Sequence, residues 1–170
     1  ADMVRWALRR GRAALFADCG LGKGPMQMEW ASKQPHECII AAPLAVAHQF
    51  VREAQKFGVD LAYAKDQAGV TKRITVTNYE RLENFHLDQF GAVALDESSI
   101  LKNASGAYST WMIEAFANTP FRLCSSATPA PNDVMELGTQ AEFLGVMTRG
   151  EMLAMYFTHD GGDTSKWRVK

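Results

Sequence analysis

Two glycines and a lysine stand in a turn between an apolar run and a helix-compatible segment near the start of the chain. The apolar run covers residues 13–16, and the turn holds Gly20, Gly22 and Lys23. Glycines let the backbone curl so that successive N–H groups point at an anion, the following helix adds its positive end, and the lysine reaches the outer phosphates. The pattern A-x-x-G-x-G-K, which begins at Ala17, therefore predicts a phosphate-binding loop.

The position after the lysine departs from that pattern. Loops of this kind carry a Ser or Thr there, whose hydroxyl holds a magnesium ion, but this chain has Gly24 followed by Pro25. Proline is tolerated in a first helical turn, because the N–H that it lacks has no partner there in any case. We expect weaker metal binding and slower hydrolysis as a result. An ordinary strand-to-helix loop is the alternative interpretation.

Paired carboxylates follow a second apolar run. Residues 91–95 read GAVAL, and Asp96 and Glu97 come directly after them. Magnesium-assisted phosphoryl transfer needs one acid to hold the metal or its water shell and another to orient and deprotonate an attacking water. The pair predicts this chemistry, with a merely solvated strand end as the alternative.

Hydroxyl side chains follow a third apolar run, where Ser126 and Thr128 come after residues 121–125. In an open parallel sheet, ligands bind at the carboxyl ends of the strands, so the loop, the acids and these hydroxyls are expected to converge. In particular, Lys23 and Asp96 should meet across neighbouring strand ends to bind a triphosphate and its metal. The alternative role for the hydroxyls is to close a turn.

The composition is that of one globular domain. The chain has 170 residues, 47% hydrophobic and 22% charged, with a net charge of −1 that gives no sign of a nucleic-acid binder, although local patches do such binding. Three cysteines without close spacing argue against a disulfide framework or a zinc site and favour a reducing compartment. No apolar run approaches the roughly 18 residues of a membrane span, and no signal-peptide core opens the chain. A cytoplasmic protein without membrane contact is therefore expected.

Predicted strands alternate with predicted helices along the chain, which indicates an α/β domain with a mostly parallel central sheet and helices on both faces. The predicted helices cover residues 3–10, 26–33, 45–57, 79–85, 105–116 and 133–144. The predicted strands cover residues 13–16, 38–42, 61–64, 74–77, 91–95 and 121–125. From Gly145 the pattern is less regular, and the last twelve residues, HDGGDTSKWRVK, are expected to form a loop or to be a chain cut short.

Five segments resemble, in order and spacing, the motor motifs of superfamily-two helicases and are most similar to the Swi/Snf-like branch. They are ADCGLGKGPMQ, APLAVAHQFVREAQKFG, ITVTNYE, VALDESSILKN and CSSATPAPNDVMEL. The resemblance covers nearly the whole chain and implies a three-layer RecA-like P-loop NTPase domain. This would be the N-terminal lobe of an ATP-dependent, DEAD-like DNA helicase or translocase of phage or bacterial origin. Residues 1–145 would form the lobe, and residues 146–170 an extension or a truncated linker towards a second lobe.

The same resemblance implies roles for individual residues. Lys23, Asp96 and Glu97 would be catalytic, with Asp96 holding Mg²⁺ and Glu97 acting as the base for the hydrolytic water. ATP would bind at Cys19, Gly20, Leu21, Gly22, Lys23, Gly24 and Pro25. Nucleic acid, expected to be DNA contacted through its backbone whatever its sequence, would bind at Pro43, Leu44, Gln49, Thr77, Asn78, Tyr79, Lys102 and Asn103. Ser126, Ala127 and Thr128 would couple the nucleotide to the nucleic acid.

Several departures from the family pattern limit what this chain is expected to do alone. After the acids the family has Ala-His, whereas this chain has Ser98 and Ser99, which keep a polar relay to the third motif. The chain begins too late for the adenine-reading glutamine, and nothing after Gly145 is long enough for a second lobe with its arginines. We therefore expect a monomer that binds nucleotide weakly and hydrolyses it hardly at all. A degenerate binding module and a lobe of a restriction-type translocase remain as alternatives.

Overall fold

The computed structural model describes residues 2–102, 106–160 and 163–170. The helices are α1 (Asp2–Arg10), α2 (Lys23–Ser32), α3 (Leu44–Phe57), α4 (Ala107–Ala115), α5 (Leu137–Phe143) and α6 (Arg149–Tyr156). The strands are β1 (Arg12–Phe16), β2 (Cys38–Ala42), β3 (Leu61–Tyr63), β4 (Ile74–Asn78), β5 (Ala92–Asp96), β6 (Phe121–Ser126), β7 (Phe157–Asp160) and β8 (Asp163–Val169). Short 3₁₀ turns cover Gln67–Gly69, Tyr79–Asn84, Leu87–Gln89, Ser98–Lys102 and Val134–Glu136. None of the helices described is long and apolar enough to cross a membrane.

Six strands form one sheet in the order β1-β6-β5-β2-β4-β3, and every neighbouring pair runs parallel. All five residues of β2, of β4 and of β5 are buried, as expected for strands that are covered on both faces. The predicted α/β class with a parallel central sheet is confirmed. Because all six strands point the same way, their carboxyl ends, and the loops that follow them, share one edge of the sheet.

Helices pack on both faces of this sheet and make three layers. On one face, Trp30 of α2 and Phe50 of α3 pack with Ile40 of β2. On the other face, Phe116 and Phe143 pack with Ile39, the preceding residue of the same strand. Successive side chains of a strand point to opposite faces, so one apolar strand supplies both halves of the core.

Some boundaries differ from the sequence prediction. Helix α2 begins at Lys23, three residues before the predicted start, because Gly22 takes φ +80° and serves as its N-cap. The predicted helix over 79–85 is a 3₁₀ turn, and the one over 133–144 divides into a 3₁₀ turn and α5. The start of the predicted helix over 105–116 lies outside the described residues, and α4 begins at Ala107.

The expectation of a loop at the end of the chain is wrong. Strands β7 and β8 pair antiparallel, and α6 precedes them with a capping box in which Thr148 and Glu151 bond each other's backbone N–H. Phe157 packs with Met152 and Leu153 of α6. A composition rich in Gly, Asp and Ser did not indicate these strands, because antiparallel pairing depends on backbone hydrogen bonds rather than on apolar side chains.

Candidate active site

The turn between β1 and α2 has the backbone that an anion-binding loop requires. Gly20 and Gly22 have φ of +79° and +80°, in the left-handed region that glycine adopts readily. Apart from its chain neighbours, a Cβ at either position would meet no atom of the described residues within 4 Å. The glycines are therefore needed for the path of the backbone and not for close packing, and the turn stays open on that side.

The ammonium group of Lys23 lies back over this turn. Its Nζ donates to the carbonyl oxygen of Ala17 at 3.1 Å and to that of Asp18 at 3.3 Å. Both acceptors are neutral, whereas a phosphate oxygen is an anion and makes a stronger, charge-assisted bond with an ammonium group. A phosphate that enters the turn would therefore replace these carbonyls as the partner of Lys23.

The two acids stand at the end of β5 and in the turn after it. Asp96 is the last residue of the strand, and Glu97 has φ +55°, the one positive φ of a non-glycine residue in the described part of the chain. Such a backbone costs a non-glycine residue roughly 1–2 kcal/mol. The Oε2 atom of Glu97 accepts a hydrogen bond from Ser126 Oγ at 3.3 Å. An unfavourable backbone held in place beside polar side chains is typical of functional sites.

The carboxyl group of Asp96 is buried and held from α2. Gln27 Nε2 donates to Asp96 Oδ1 at 2.5 Å, and the hydroxyl of Tyr79 donates to the backbone oxygen of Asp96 at 2.6 Å. Burial raises the pKa of Asp96, and the charge of Glu97 raises it further, while the Gln27 bond and the charge of Lys23 act in the opposite direction. A cation bound beside Asp96 would lower this pKa and so favour the ionised carboxylate.

The glycine turn and the acids line one cavity of about 380 Å³, together with side chains of α3. The expectation that Lys23 and Asp96 follow neighbouring strands is wrong, because β6 lies between β1 and β5. The backbones of β1 and β5 are two strand spacings, or about 10 Å, apart. The turn and the start of α2 reach across that gap and bring Lys23 to the cavity that Asp96 lines.

The side chains around this cavity have the chemistry for a hydrated magnesium ion. The described residues contain no ready-made group of three or more His, Cys, Asp or Glu side chains that could hold a metal. Mg²⁺ binds oxygen ligands, keeps several waters and uses one or two carboxylates together with substrate phosphates. Asp96 offers such a carboxylate, and the buried Oε1 of Gln27 has no hydrogen-bond partner among the residues described. The residues therefore fit an ion that is bound chiefly through phosphate and water.

Two polar residues near this centre were not singled out from the sequence. Gln27 lies four residues after Lys23, so the two share one face of α2. Glu53 of α3 lines the cavity, and its Oε2 lies 3.3 Å from the point where a Cβ of residue 24 would stand. The sequence feature that could have identified Gln27 is its polar side chain among the apolar positions of a buried helix.

The turns after β5 and β6 are joined by side chains. Besides its bond to Glu97, Ser126 Oγ accepts from the backbone N–H of Thr128 at 3.0 Å. A second connection runs from Ser98 Oγ to Gln140 Oε1 at 2.7 Å and from Gln140 Nε2 to the backbone oxygen of Pro129 at 2.6 Å. Ser126 is buried, whereas Thr128 is exposed. Of the residues predicted to couple nucleotide and nucleic acid, Ser126 contacts the acidic turn directly, Thr128 is bonded to Ser126, and Ala127 lies between these two in the chain.

The residues predicted to bind nucleic acid lie in several places. Leu44 and Asn78 line a cavity of about 600 Å³ beyond the ends of β2 and β4, together with the basic side chains of Lys65 and Arg81. Gln49 instead lines the cavity of the glycine turn, where it donates to Glu53 Oε1 at 2.7 Å. The side chain of Gln49 is therefore placed with the nucleotide residues.

The other predicted nucleic-acid residues differ in exposure. The side chains of Thr77 and Tyr79 are buried, and each donates its hydroxyl proton to a backbone oxygen, that of Ala64 and that of Asp96 respectively. Pro43 is the N-cap of α3, and Lys102 is exposed at the end of a 3₁₀ turn. Asn103 lies outside the described residues.

Comparisons with known proteins give structural matches. No protein-family model matches the sequence, and no curated protein sequence matches it. The SWI2/SNF2 ATPase core of Sulfolobus solfataricus, solved in complex with dsDNA, is similar with a TM-score of 0.74 and 20% identity over 91% of this chain. The UvsW helicase of bacteriophage T4 is similar with a TM-score of 0.65 and 15% identity over 83% of this chain. The Hef helicase domain of Pyrococcus furiosus is similar with a TM-score of 0.65 and 13% identity over 85% of this chain.

The matches cover only part of each of these structures. The chain spans 37% of the Sulfolobus structure, 56% of the UvsW structure and 35% of the Hef structure. At these identities the likeness shows the fold alone, which agrees with the six-stranded parallel sheet. The chain has a RecA-like fold, which it shares with part of each of these ATPase and helicase structures.

Proposed function

We propose that this chain is the ATP-binding lobe of a helicase-like, Swi/Snf-type DNA translocase, which couples ATP hydrolysis to movement on nucleic acid. The observation that carries the proposal is the single cavity shared by Lys23, Asp96 and Glu97. A glycine turn alone is common, and so is a pair of acids at a strand end. Together at one cavity they provide a phosphate site next to a base for hydrolysis.

In this proposal each group has a separate task. The backbone N–H groups of the turn and the Lys23 ammonium bind the β- and γ-phosphates. A bound Mg²⁺ supplies charge neutralisation of the phosphates, and Asp96 holds its water shell. Glu97 takes the proton of the attacking water, and the hydroxyl of Ser126 orients the carboxylate of Glu97. Ser126 thereby connects hydrolysis to the turn that ends at Thr128.

The proposal includes partners that complete the motor. A second RecA-like lobe would supply arginines to the γ-phosphate, and DNA would bind along the loops after β2 and β4. Positioning and charge stabilisation provide most of the catalysis in phosphoryl transfer. The isolated lobe, expected to be a monomer, would therefore bind ATP weakly and hydrolyse it very slowly.

Binding of ATP to the Lys23→Ala variant tests the proposal. Charge-assisted hydrogen bonds are worth about 1.5–3 kcal/mol, so the dissociation constant should rise about tenfold to a hundredfold. Lys33→Ala is the matched control, since Lys33 follows the last residue of the same helix and pairs with Glu29 at 3.4 Å. Isothermal titration calorimetry measures both variants. Equal affinities of the wild type and Lys23→Ala would refute the phosphate site.

A non-hydrolysing nucleotide- or nucleic-acid-binding module is the second candidate, and Gly24 favours it, because the usual hydroxyl ligand of the metal is missing. The Glu97→Gln variant separates the two candidates. A working ATPase should keep ATP binding and lose its residual turnover. If the chain binds ATP but the wild type and Glu97→Gln release phosphate at the same rate, the degenerate module is the correct description.

A further inference from the structure

Gln27 is a polar side chain in a place where an apolar one would be expected. It is fully buried on α2, between the glycine turn and the core that contains its neighbours Met28 and Trp30. Its amide nitrogen Nε2 makes a bond of 2.5 Å to Asp96 Oδ1, across 69 residues of sequence. Burying an amide group without full pairing is unfavourable, so a side chain that served only for packing would be better replaced by Met or Leu.

The orientation of the amide follows from the chemistry of its partner. The NH₂ end of Gln27 faces Asp96, which is the arrangement that an ionised carboxylate, able only to accept, requires. The carbonyl Oε1 is then left buried, without a hydrogen-bond partner in the described part of the chain. The contact with Asp96 is thus kept although half of the amide remains unpaired, which points to a role of the contact itself.

Asp96 depends on this one contact for its orientation. Among the described residues, Gln27 is the side chain that bonds the carboxyl group, because the Tyr79 hydroxyl reaches only the backbone oxygen. With Oδ1 occupied by Gln27, the other carboxylate oxygen is the one left for a ligand. Lys23 and Gln27 stand one helical turn apart, so a single rigid helix sets both the phosphate ligand and the orientation of Asp96.

From this geometry we propose that Gln27 is a positioning residue, which holds the carboxylate of Asp96 in the orientation that accepts the hydrated magnesium of Mg·ATP. The inference rests on the proposed function, since it concerns the same metal-nucleotide complex. Side chains that orient metal-binding carboxylates through hydrogen bonds typically change metal affinity about tenfold to a hundredfold when they are replaced.

The Gln27→Met variant tests the inference through binding, without any need for turnover. A fluorescent ATP analogue is titrated into the 170-residue chain, once with Mg²⁺ and once with EDTA. We expect Mg²⁺ to tighten binding in the wild type, and in Gln27→Met we expect this gain to shrink about tenfold while metal-free binding is unchanged. The turn and Lys23, which bind the phosphates, are untouched by the substitution.

Two controls separate positioning from a general effect on the fold. Gln34 is also buried, lies just after α2 and donates weakly to the Trp30 backbone oxygen at 3.4 Å, so Gln34→Met should leave both affinities unchanged. In an Asp96→Asn background, Gln27→Met should cause no further loss of the Mg²⁺ effect, because its partner is already altered. Urea unfolding shows that each variant is folded. If Gln27→Met is unfolded, it is replaced by Gln27→Asn, whose side chain is one methylene shorter. We expect the same loss of the Mg²⁺ effect on ATP binding in that variant.

Each result decides a different question. An equal Mg²⁺ effect in the wild type and Gln27→Met overturns the inference and leaves the proposed function standing. Equal losses with Mg²⁺ and with EDTA also overturn it, because they indicate damage to the whole site. A wild-type chain whose ATP binding gains nothing from Mg²⁺ contradicts the proposed function, and the inference then fails with it.

Discussion

Gly24 is the position at which the chemistry of the phosphate loop is incomplete, and its surroundings show what a hydroxyl would meet. A Cβ there would lie 3.3 Å from Glu53 Oε2 and 4.0 Å from two ring carbons of Phe50. Glu53 is a flexible side chain at the rim of the cavity and can turn aside, so the backbone accepts a larger residue. We therefore expect the site to tolerate a hydroxyl at this position.

The Gly24→Thr variant should bind Mg²⁺·ATP more tightly and release phosphate several times faster than the wild type. The physical reason is the additional oxygen ligand for the metal. Phosphate release as a function of Mg²⁺ concentration measures the effect. Gly24→Ala, which adds the Cβ without the hydroxyl, is the control, and the same gain with alanine, or no gain with threonine, contradicts the prediction.

Cys19 offers a second test, because it is the one exposed thiol among three. Burial raises the pKa of Cys124 to about 12 and the pKa of Cys38 still further, so at mildly alkaline pH neither forms an appreciable amount of thiolate. A thiol reagent should therefore modify Cys19 rapidly and the other two only on unfolding. Bound ATP should slow that reaction, since Cys19 lies in the turn. Rapid modification of two thiols would contradict the burial of the others.

At the residue scale, local sequence patterns pointed to the groups proposed to act on the phosphates and not to the groups that support them. Lys23, Asp96 and Glu97 follow turn and strand patterns that are visible in the sequence. Gln27 reaches Asp96, and Glu53 reaches the cavity, only because α2 and α3 pack on one face of the sheet. Their positions depend on tertiary packing, which no local pattern reports.

Strand β6 carries a charge in the core, and this charge ties several elements together. Arg122 is buried, and its guanidinium donates to the backbone oxygens of Ala117, Thr119 and Phe143 at 2.5 to 2.8 Å. Burial lowers the pKa of Arg122 to about 10, with a smaller effect from the nearby charge of Arg12. The group therefore remains charged at neutral pH and fixes the end of α5 against the turn before β6.

Replacement of Arg122 by Leu should lower the free energy of unfolding by about 3 kcal/mol, because the buried carbonyl oxygens would lose their donor. Urea unfolding followed by circular dichroism measures the change. Arg52→Leu, on the exposed side of α3, is the control and should change stability little. A loss below about 1 kcal/mol would show that water replaces the guanidinium easily.

At the scale of elements, prediction succeeded where apolar runs were continuous. The runs CIIAA and GAVAL predicted β2 and β5, because only strands covered on both faces are apolar at every position. The early start of α2 was not predicted, since it depends on the left-handed backbone of Gly22. The order of strands, with β6 between β1 and β5, comes from long-range pairing and was likewise not available from local patterns.

For the molecule as a whole, the parallel sheet places the glycine turn, the acids and the loops after β2 and β4 along one edge. A second lobe facing this edge would reach the nucleotide and the nucleic acid together. In the proposed motor the arginine contribution to phosphoryl transfer, worth about 10³–10⁵ in rate, would come from such a lobe. The isolated chain should therefore turn over ATP far more slowly than once per second in a phosphate-release assay. A turnover of several per second would contradict this view.

Binding of the whole lobe to DNA should be weak, independent of sequence and strongly reduced by salt. Contacts to phosphates release counterions, so the logarithm of the affinity falls with the logarithm of salt concentration. In a fluorescence-anisotropy titration, Lys102→Ala should reduce that slope by about one unit. Lys72→Ala, which removes a lysine already paired with Asp60 at 2.9 Å, is the control. An unchanged slope in Lys102→Ala would remove that residue from the proposed interface.

The position of the Lys23 ammonium has a consequence for the proposed nucleotide cycle. With the carbonyl oxygens of Ala17 and Asp18 as partners, the ammonium is already satisfied, so capture of a nucleotide is an exchange of one set of acceptors for another. The net gain is smaller than the strength of the new bonds suggests. In the proposed cycle a diphosphate product would dissociate more readily for the same reason, because the ammonium would return to these two carbonyl oxygens. This arrangement favours rapid release of a nucleotide over tight binding of it.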